Sequence, residues 1–166
     1  GICDEISLNF EDAVEHSSWR NLTYIRDEDE EEKLYQNIVD KVGKDYIIIH
    51  ERKRDNVNRT MEYIDREYIK SDLPIVNLDR DWLTINNFEV GQILDYRKVL
   101  RRANQIHVYE GSFMNLADSF TDGMVPLYGH LYCKPHYFEE KNVHFQIIKY
   151  IRKRKWHKNK WTYYGD

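Results

Sequence analysis

Hydrophobic positions recur along the chain with two different periods, and the switching between them predicts the fold. Leu34, Ile38 and Val42 follow one another at four-residue spacing with Tyr35 and Val39 beside them, an apolar stripe on a helix over residues 28–42. The run Asp27-Glu28-Asp29-Glu30-Glu31-Glu32 opens that helix, where carboxylates meet the positive end of the peptide dipoles, and Gly43 supplies its stop. Directly afterwards Tyr46-Ile47-Ile48-Ile49-His50 is continuous and rich in β-branched residues, the pattern of a strand buried on both faces. Residues 73–79 predict a second, shorter strand. Ile93, Tyr96, Val99, Leu100 and Ala103 mark an amphipathic helix between Gly91 and Asn104, and residues 105–109 a third strand. Glu110-Gly111-Ser112 then turns into a helix carrying Phe113, Leu116, Ala117 and Phe120, and residues 127–133 predict a further strand. Residues 143–151 fit helix and strand equally well.

Strands alternating with helices predict an α/β domain: a Rossmann-like, mostly parallel sheet with helices on both faces. A length of 166 residues fits one such domain, with a basic, tryptophan-containing tail from about residue 152. The 41% hydrophobic share is enough for a packed core, which excludes wholesale disorder. Lys and Arg number 25 against 29 Asp and Glu, so a globally basic nucleic-acid binder is disfavoured while a local basic patch stays open. Cys3 and Cys133 stand far apart and form no metal-spaced pair, which suits free thiols in a reducing compartment. No run approaches the roughly 20 apolar residues of a membrane span, and no secretory leader is recognisable. The expectation is a soluble, cytoplasmic protein. The seven histidines are scattered without an HExxH pair, so neither a metal nor another cofactor is expected.

Parallel α/β sheets take ligands at the carboxyl ends of their strands, which selects the loop after Ile49 and the turn after Tyr109. In the turn, Gly111 suits a sharp reversal close to a ligand, and Ser112 falls at or near the cap of the following helix. Free backbone N–H groups at such a helix start suit a phosphate or diphosphate; a serine there can equally cap the helix and nothing more. In the loop, Arg52, Lys53 and Arg54 follow His50, and arginine is suited to bidentate contact with phosphate oxygens. A solvated charged loop, and a half-buried His50 without a role, are the plain alternatives. The chain has no GxGxxG, no GxxxxGK[ST] and no GxSxG, which excludes a dinucleotide fingerprint, a P-loop and a hydrolase nucleophile elbow. Basic residues interleave with Trp156 and Trp161 near the end of the chain, a composition shared by single-strand nucleic-acid platforms and by terminal elements whose tryptophans dock on the body.

Three blocks together resemble bacterial and phage glycosyltransferases of the two-domain Rossmann (GT-B) type, distantly fucosyltransferase-like. The first is Phe10-Glu11-Asp12 with Tyr24-Ile25-Arg26-Asp27 and the acidic helix at Leu34-Tyr35. The second is Tyr46-Ile47-Ile48-Ile49-His50-Glu51. The third runs from Ile93-Leu94-Asp95-Tyr96 through Arg102-Ala103-Asn104-Gln105-Ile106-His107-Val108 to Gly111-Ser112-Phe113-Met114-Asn115-Leu116-Ala117. The resemblance covers most of residues 10–120 and lies in the order and spacing of the blocks. It implies a chain equivalent to the C-terminal, donor-binding half of such an enzyme, working without a metal. His50, Arg52 and Arg54 would hold the nucleotide diphosphate from one loop, and Ser112 and Phe113 from the other. The loop matches the His-x-Arg-Arg type only loosely. Glu110 stands where relatives often carry a small polar residue; its carboxylate would repel a diphosphate and is better matched to a sugar or ribose hydroxyl.

The expected function is therefore that of a glycosyltransferase, or of its nucleotide-sugar donor-binding half, with the acceptor half supplied by a partner or an oligomer. A non-catalytic interaction protein keeping the fold, and a single-stranded nucleic-acid-binding module using the basic tail, are the rival expectations.

Overall fold

A computed structural model describes residues 26–51, 64–109, 111–130 and 161–164. Arg52, Lys53, Arg54, Glu110, Cys3, Cys133, the ambiguous residues 143–151 and the basic run 152–160 lie outside the described residues. Helix α1 spans Glu28–Val42, as its stripe predicts. Asp27 caps it by accepting the Glu30 N–H at 3.0 Å, and the Gly43 N–H closes it on the Val39 carbonyl. Gly43 sits at φ 91°, the left-handed region that a side chain would strain. Strand β1 (Ile47–His50) is buried along its whole length. β2 (Ile75–Asn77), α2 (Arg80–Ile85) and α3 (Arg97–Arg102) follow, the last entered through a 3-10 turn, Ile93–Tyr96. β3 (Gln105–Tyr109), α4 (Ser112–Thr121), β4 (Leu127–His130) and β5 (Trp161–Tyr164) complete the order.

The five strands among the described residues form one sheet in the order β2-β1-β3-β4-β5, every pair parallel. This is an α/β, Rossmann-like domain. The side chains of Ile48, Val76, Ile106, Val108 and Leu127 point to one face, where Leu34 and Ile38 of α1, Val99 and Leu100 of α3, and Phe113, Ala117 and Phe120 of α4 cover them. Alternation sends Ile47 and Ile49 to the opposite face, where Ile64 and Ile69 pack on them. Among the described residues the α-helices thus lie on one face. The other receives residues 64–73, which include a 3-10 turn, Arg66–Tyr68. No described helix is long and apolar enough to cross a membrane.

Two side chains tie helices to the sheet. The buried Tyr46 hydroxyl donates to the Val99 carbonyl at 2.8 Å, and burial pushes its pKa up. Trp161 of β5 donates its indole N–H to the buried carboxylate of Asp118 on α4 at 2.9 Å. Trp161–Tyr164, which follow the basic run in sequence, are therefore a strand of the sheet, with Trp161 docked on the body. The docking is close: a Cβ on Gly129 would meet the Tyr163 ring at 2.7 Å and Met114 Cε at 2.9 Å. Gly129→Ala is expected to destabilise the fold by about 1–3 kcal/mol through overpacking. A urea titration checks this, and an unchanged midpoint would mean that β5 does not sit this closely on β4.

Candidate functional site

The chain leaves β1 for β2 on one side and returns to β3 on the other, so the topological switch point lies between β1 and β3. Crevices at such points are where open α/β sheets take ligands. β1 and β3 are hydrogen-bonded neighbours, with His50 opposite Val108, so their carboxyl ends open on the same rim. The two loops singled out in the sequence leave the sheet side by side.

At this rim His50 lies flat on Phe113, ring centroids 4.1 Å apart and planes within 2°, and Tyr109 stacks beside it at 5.5 Å. Phe113 is only 4% exposed and belongs to the core, so its ring gives His50 a fixed apolar support. Ser112 is exposed and is the first helical residue of α4; the cap position belongs to Gly111. No side chain caps this helix start, and of its first N–H groups that of Met114 is bonded to the Gly111 carbonyl at 3.1 Å. Gly111 itself is extended (φ 167°), and a Cβ there would meet only the Tyr109 ring at an ordinary 3.5 Å. The backbone at this position therefore does not demand glycine, contrary to the sharp reversal expected from the sequence. Arg52, Arg54 and Glu110 adjoin the rim in sequence and lie outside the described residues.

The base of the β1 loop is fixed by Asn77, Glu51 and Arg66, none of them among the expected site residues. The buried Asn77 side chain accepts the Glu51 N–H at 3.3 Å and donates to the Glu51 carbonyl at 3.2 Å, extending the β1–β2 ladder by one rung. Its oxygen also accepts the Asp79 N–H at 3.0 Å. The Glu51 carboxylate accepts from Arg66 at both oxygens, at 2.6 and 3.0 Å, and from the Ile64 N–H at 2.9 Å. This clasp brings the two ends of the segment carrying Arg52 and Arg54 together. Glu51 is thus committed to holding the loop. A buried polar residue at a strand end, Asn77, and an acidic residue immediately after one, Glu51, were the available signals; their partner Arg66 lies too far along the chain for any local pattern to pair with them.

On the opposite sheet face, β3, β4 and β5 carry a second constellation. His107 Nε2 faces Gln105 Oε1 at 3.2 Å, and its Nδ1 faces His130 Nε2 at 3.0 Å. The glutamine oxygen can only accept, so His107 carries its proton on Nε2 and His130 donates from Nε2 to His107 Nδ1. Burial first, then the neighbouring His130 and the Arg66 guanidinium, lower the His107 pKa to about 3. Burial and Arg66 lower that of His130 to about 4, against a small opposing pull from Asp65. Both imidazoles are neutral at ordinary pH. Tyr128 stacks on His107 at 4.4 Å, and Tyr164 and Tyr68 follow outward.

Comparison with known protein families, curated proteins and solved structures finds no match for the chain.

Proposed function

We propose that the chain binds a nucleotide diphosphate or nucleotide-sugar across the carboxyl ends of β1 and β3, as the donor-binding part of a glycosyltransferase. The observation that carries the diphosphate half of this reading is the adjacency of two openings on one rim, the β1 loop and the α4 start whose N–H groups no side chain caps. An anion there meets backbone donors and the positive end of α4. In this reading Arg52 and Arg54, which follow His50 in the chain, neutralise charge on the diphosphate as it becomes the leaving group. Glu110 takes a sugar or ribose hydroxyl. His50 and Phe113 shape the crevice floor, and Ser112 adds a hydroxyl at its wall. Sugar transfer rests on the sequence resemblance alone.

Calorimetric titration of the chain with uridine, guanosine and adenosine diphosphates and their sugar derivatives tests the binding. Heat is expected with at least one of them, and Arg54→Ala should weaken it by about 1.5–3 kcal/mol, the range of a charge-assisted contact. Silence across the panel would overturn the reading. Transfer of the sugar to an added acceptor separates a transferase from a binding module.

A further inference from the structure

Glu51 is the first residue after β1, and Arg52, Lys53 and Arg54 follow it directly in the chain. Its carboxylate accepts from Arg66 Nη2 at 2.6 Å on one oxygen. The other oxygen accepts from Arg66 Nη1 at 3.0 Å and from the Ile64 N–H at 2.9 Å. Arg66 Nη1 donates to the Ile64 carbonyl as well, at 2.8 Å. This is the forked, two-oxygen grip for which a guanidinium is shaped and an ammonium is not.

Each partner is anchored independently of the other. The Asn77 amide holds the Glu51 backbone at both its N–H and its carbonyl, in line with β1 and β2. Arg66 opens the turn Arg66–Tyr68, and Ile64 and Ile69 on either side of that turn are buried with Ile47 and Ile49. The Glu51 side chain is 14% exposed and that of Arg66 40%, so the carboxylate is the more enclosed of the two. An ion pair of this geometry between two anchored residues outweighs one between free surface side chains.

The neighbours in the chain give the pair a second consequence. Without Arg66, the Glu51 carboxylate is an anion one to three residues from the cations assigned to the diphosphate, and it competes with a ligand for them. With Arg66 in place, both its oxygens are engaged.

We propose that Arg66 is a positioning residue of the anion site that touches no ligand itself: by engaging both oxygens of Glu51 it keeps that carboxylate from competing with the ligand for Arg52 and Arg54. This rests on the diphosphate reading above and adds what keeps the positive charge of that site available.

Calorimetry with inorganic pyrophosphate and with uridine, guanosine and adenosine diphosphates tests the proposal, on chains whose denaturant midpoints are measured alongside. Arg66→Met keeps an apolar stem and removes the fork. It should weaken binding of whichever of these ligands the wild type takes by roughly tenfold, the scale of one charge-assisted contact diverted. Adding Glu51→Gln to Arg66→Met should restore affinity to within about threefold of wild type, because glutamine keeps an oxygen for the Ile64 N–H and carries no charge to compete. A clasp that served the fold alone would behave differently: the double variant, which has no ion pair, would bind no better than Arg66→Met. That result, or wild-type affinity in Arg66→Met, overturns the proposal and leaves the diphosphate site standing. Glu51→Gln alone carries the comparison if Arg66→Met does not fold: affinity within about threefold of wild type supports the proposal, and a loss of about tenfold overturns it. A wild-type chain that binds none of the four ligands overturns both readings.

Discussion

Acidification from pH 7 to pH 4 is expected to cost the fold about 3–6 kcal/mol through His107 and His130 alone. Both imidazoles are folded in the neutral form, with pKa values lowered to about 3 and about 4, whereas an unfolded histidine titrates near 6.5. In the window between those values the unfolded chain binds protons that the native chain excludes. Stability is therefore full above about pH 6.5 and falls as pH drops toward the folded values, by up to about 1.4 kcal/mol per pH unit for each histidine. The two rings share one hydrogen bond as neutral imidazoles, His107 Nδ1 to His130 Nε2 at 3.0 Å. The described groups facing the pair are Gln105, Tyr128 and Tyr164 on the strands and Asp65, Arg66 and Tyr68 on the turn; Arg66 opposes a charge there and Asp65 favours one. Urea midpoints at pH 7, 5.5 and 4.5 measure the loss. The His107→Leu/His130→Leu double variant should show a flatter pH dependence than wild type. Equal slopes, or two imidazole NMR signals assigned to these residues titrating near pH 6.5, would contradict a buried neutral pair.

Such a loss is large for a single domain, whose whole stability is typically about 5–15 kcal/mol. Well above pH 6.5 the pair carries no protonation penalty and gives the sheet a fixed ring on which Tyr128 stacks, with Tyr164 and Tyr68 beyond it. An apolar pair would pack there too, but would lack the hydrogen bonds that hold the His107 ring at both nitrogens. The polarity of this face is thus tied to geometry: the hydrogen bonds fix the ring on which Tyr128 stacks.

The sequence made the helix over Glu28–Val42 and the strands at Ile47–His50 and Gln105–Tyr109 legible because each is written in local terms: a four-residue stripe, a cap, or an unbroken β-branched run. α3 was legible as a helix but not in length. Gln92 and Asp95 form a capping box that tightens the first turn into a 3-10 form, leaving only Arg97–Arg102 as α-helix. α2 went unread, since Arg80–Ile85 is too short to show a period, although Asp79 caps it by accepting the Asp81 and Trp82 N–H groups. β5 was read as tail because Trp161–Tyr164 follows a basic run; its identity as a strand depends on pairing with β4 and on the Asp118 carboxylate waiting on α4. The adjacency of the β1 and β3 loops followed from the carboxyl-end rule. The Glu51–Arg66 clasp and the aromatic column did not, because both join residues distant in the chain through the sheet's register rather than through any local spacing.

Phe113→Ala is expected to destabilise the protein by about 3–5 kcal/mol, the usual cost of truncating a buried phenylalanine. The ring is almost fully enclosed by the core and lies flat against His50, so its removal leaves a cavity beneath the crevice and frees the imidazole to turn. Ser112→Ala, one residue earlier and exposed at the helix start, should change stability by less than about 0.5 kcal/mol because Gly111 and not Ser112 occupies the cap. The contrast separates two roles that the sequence placed side by side: Phe113 acts through packing, Ser112 through contact with a ligand at the helix start. Phe113→Leu sharpens the distinction. It keeps most of the apolar volume, so stability should fall by only about 1–2 kcal/mol, while the flat support under His50 is lost. Denaturant midpoints for the three variants, read beside calorimetry with a nucleoside diphosphate, resolve the two effects. If Phe113→Leu lowers affinity while remaining folded and Ser112→Ala lowers it without any loss of stability, the crevice floor and wall both serve the ligand. If Phe113→Ala is as stable as wild type, the stack on His50 is not part of the core and the floor assigned to the crevice is wrong.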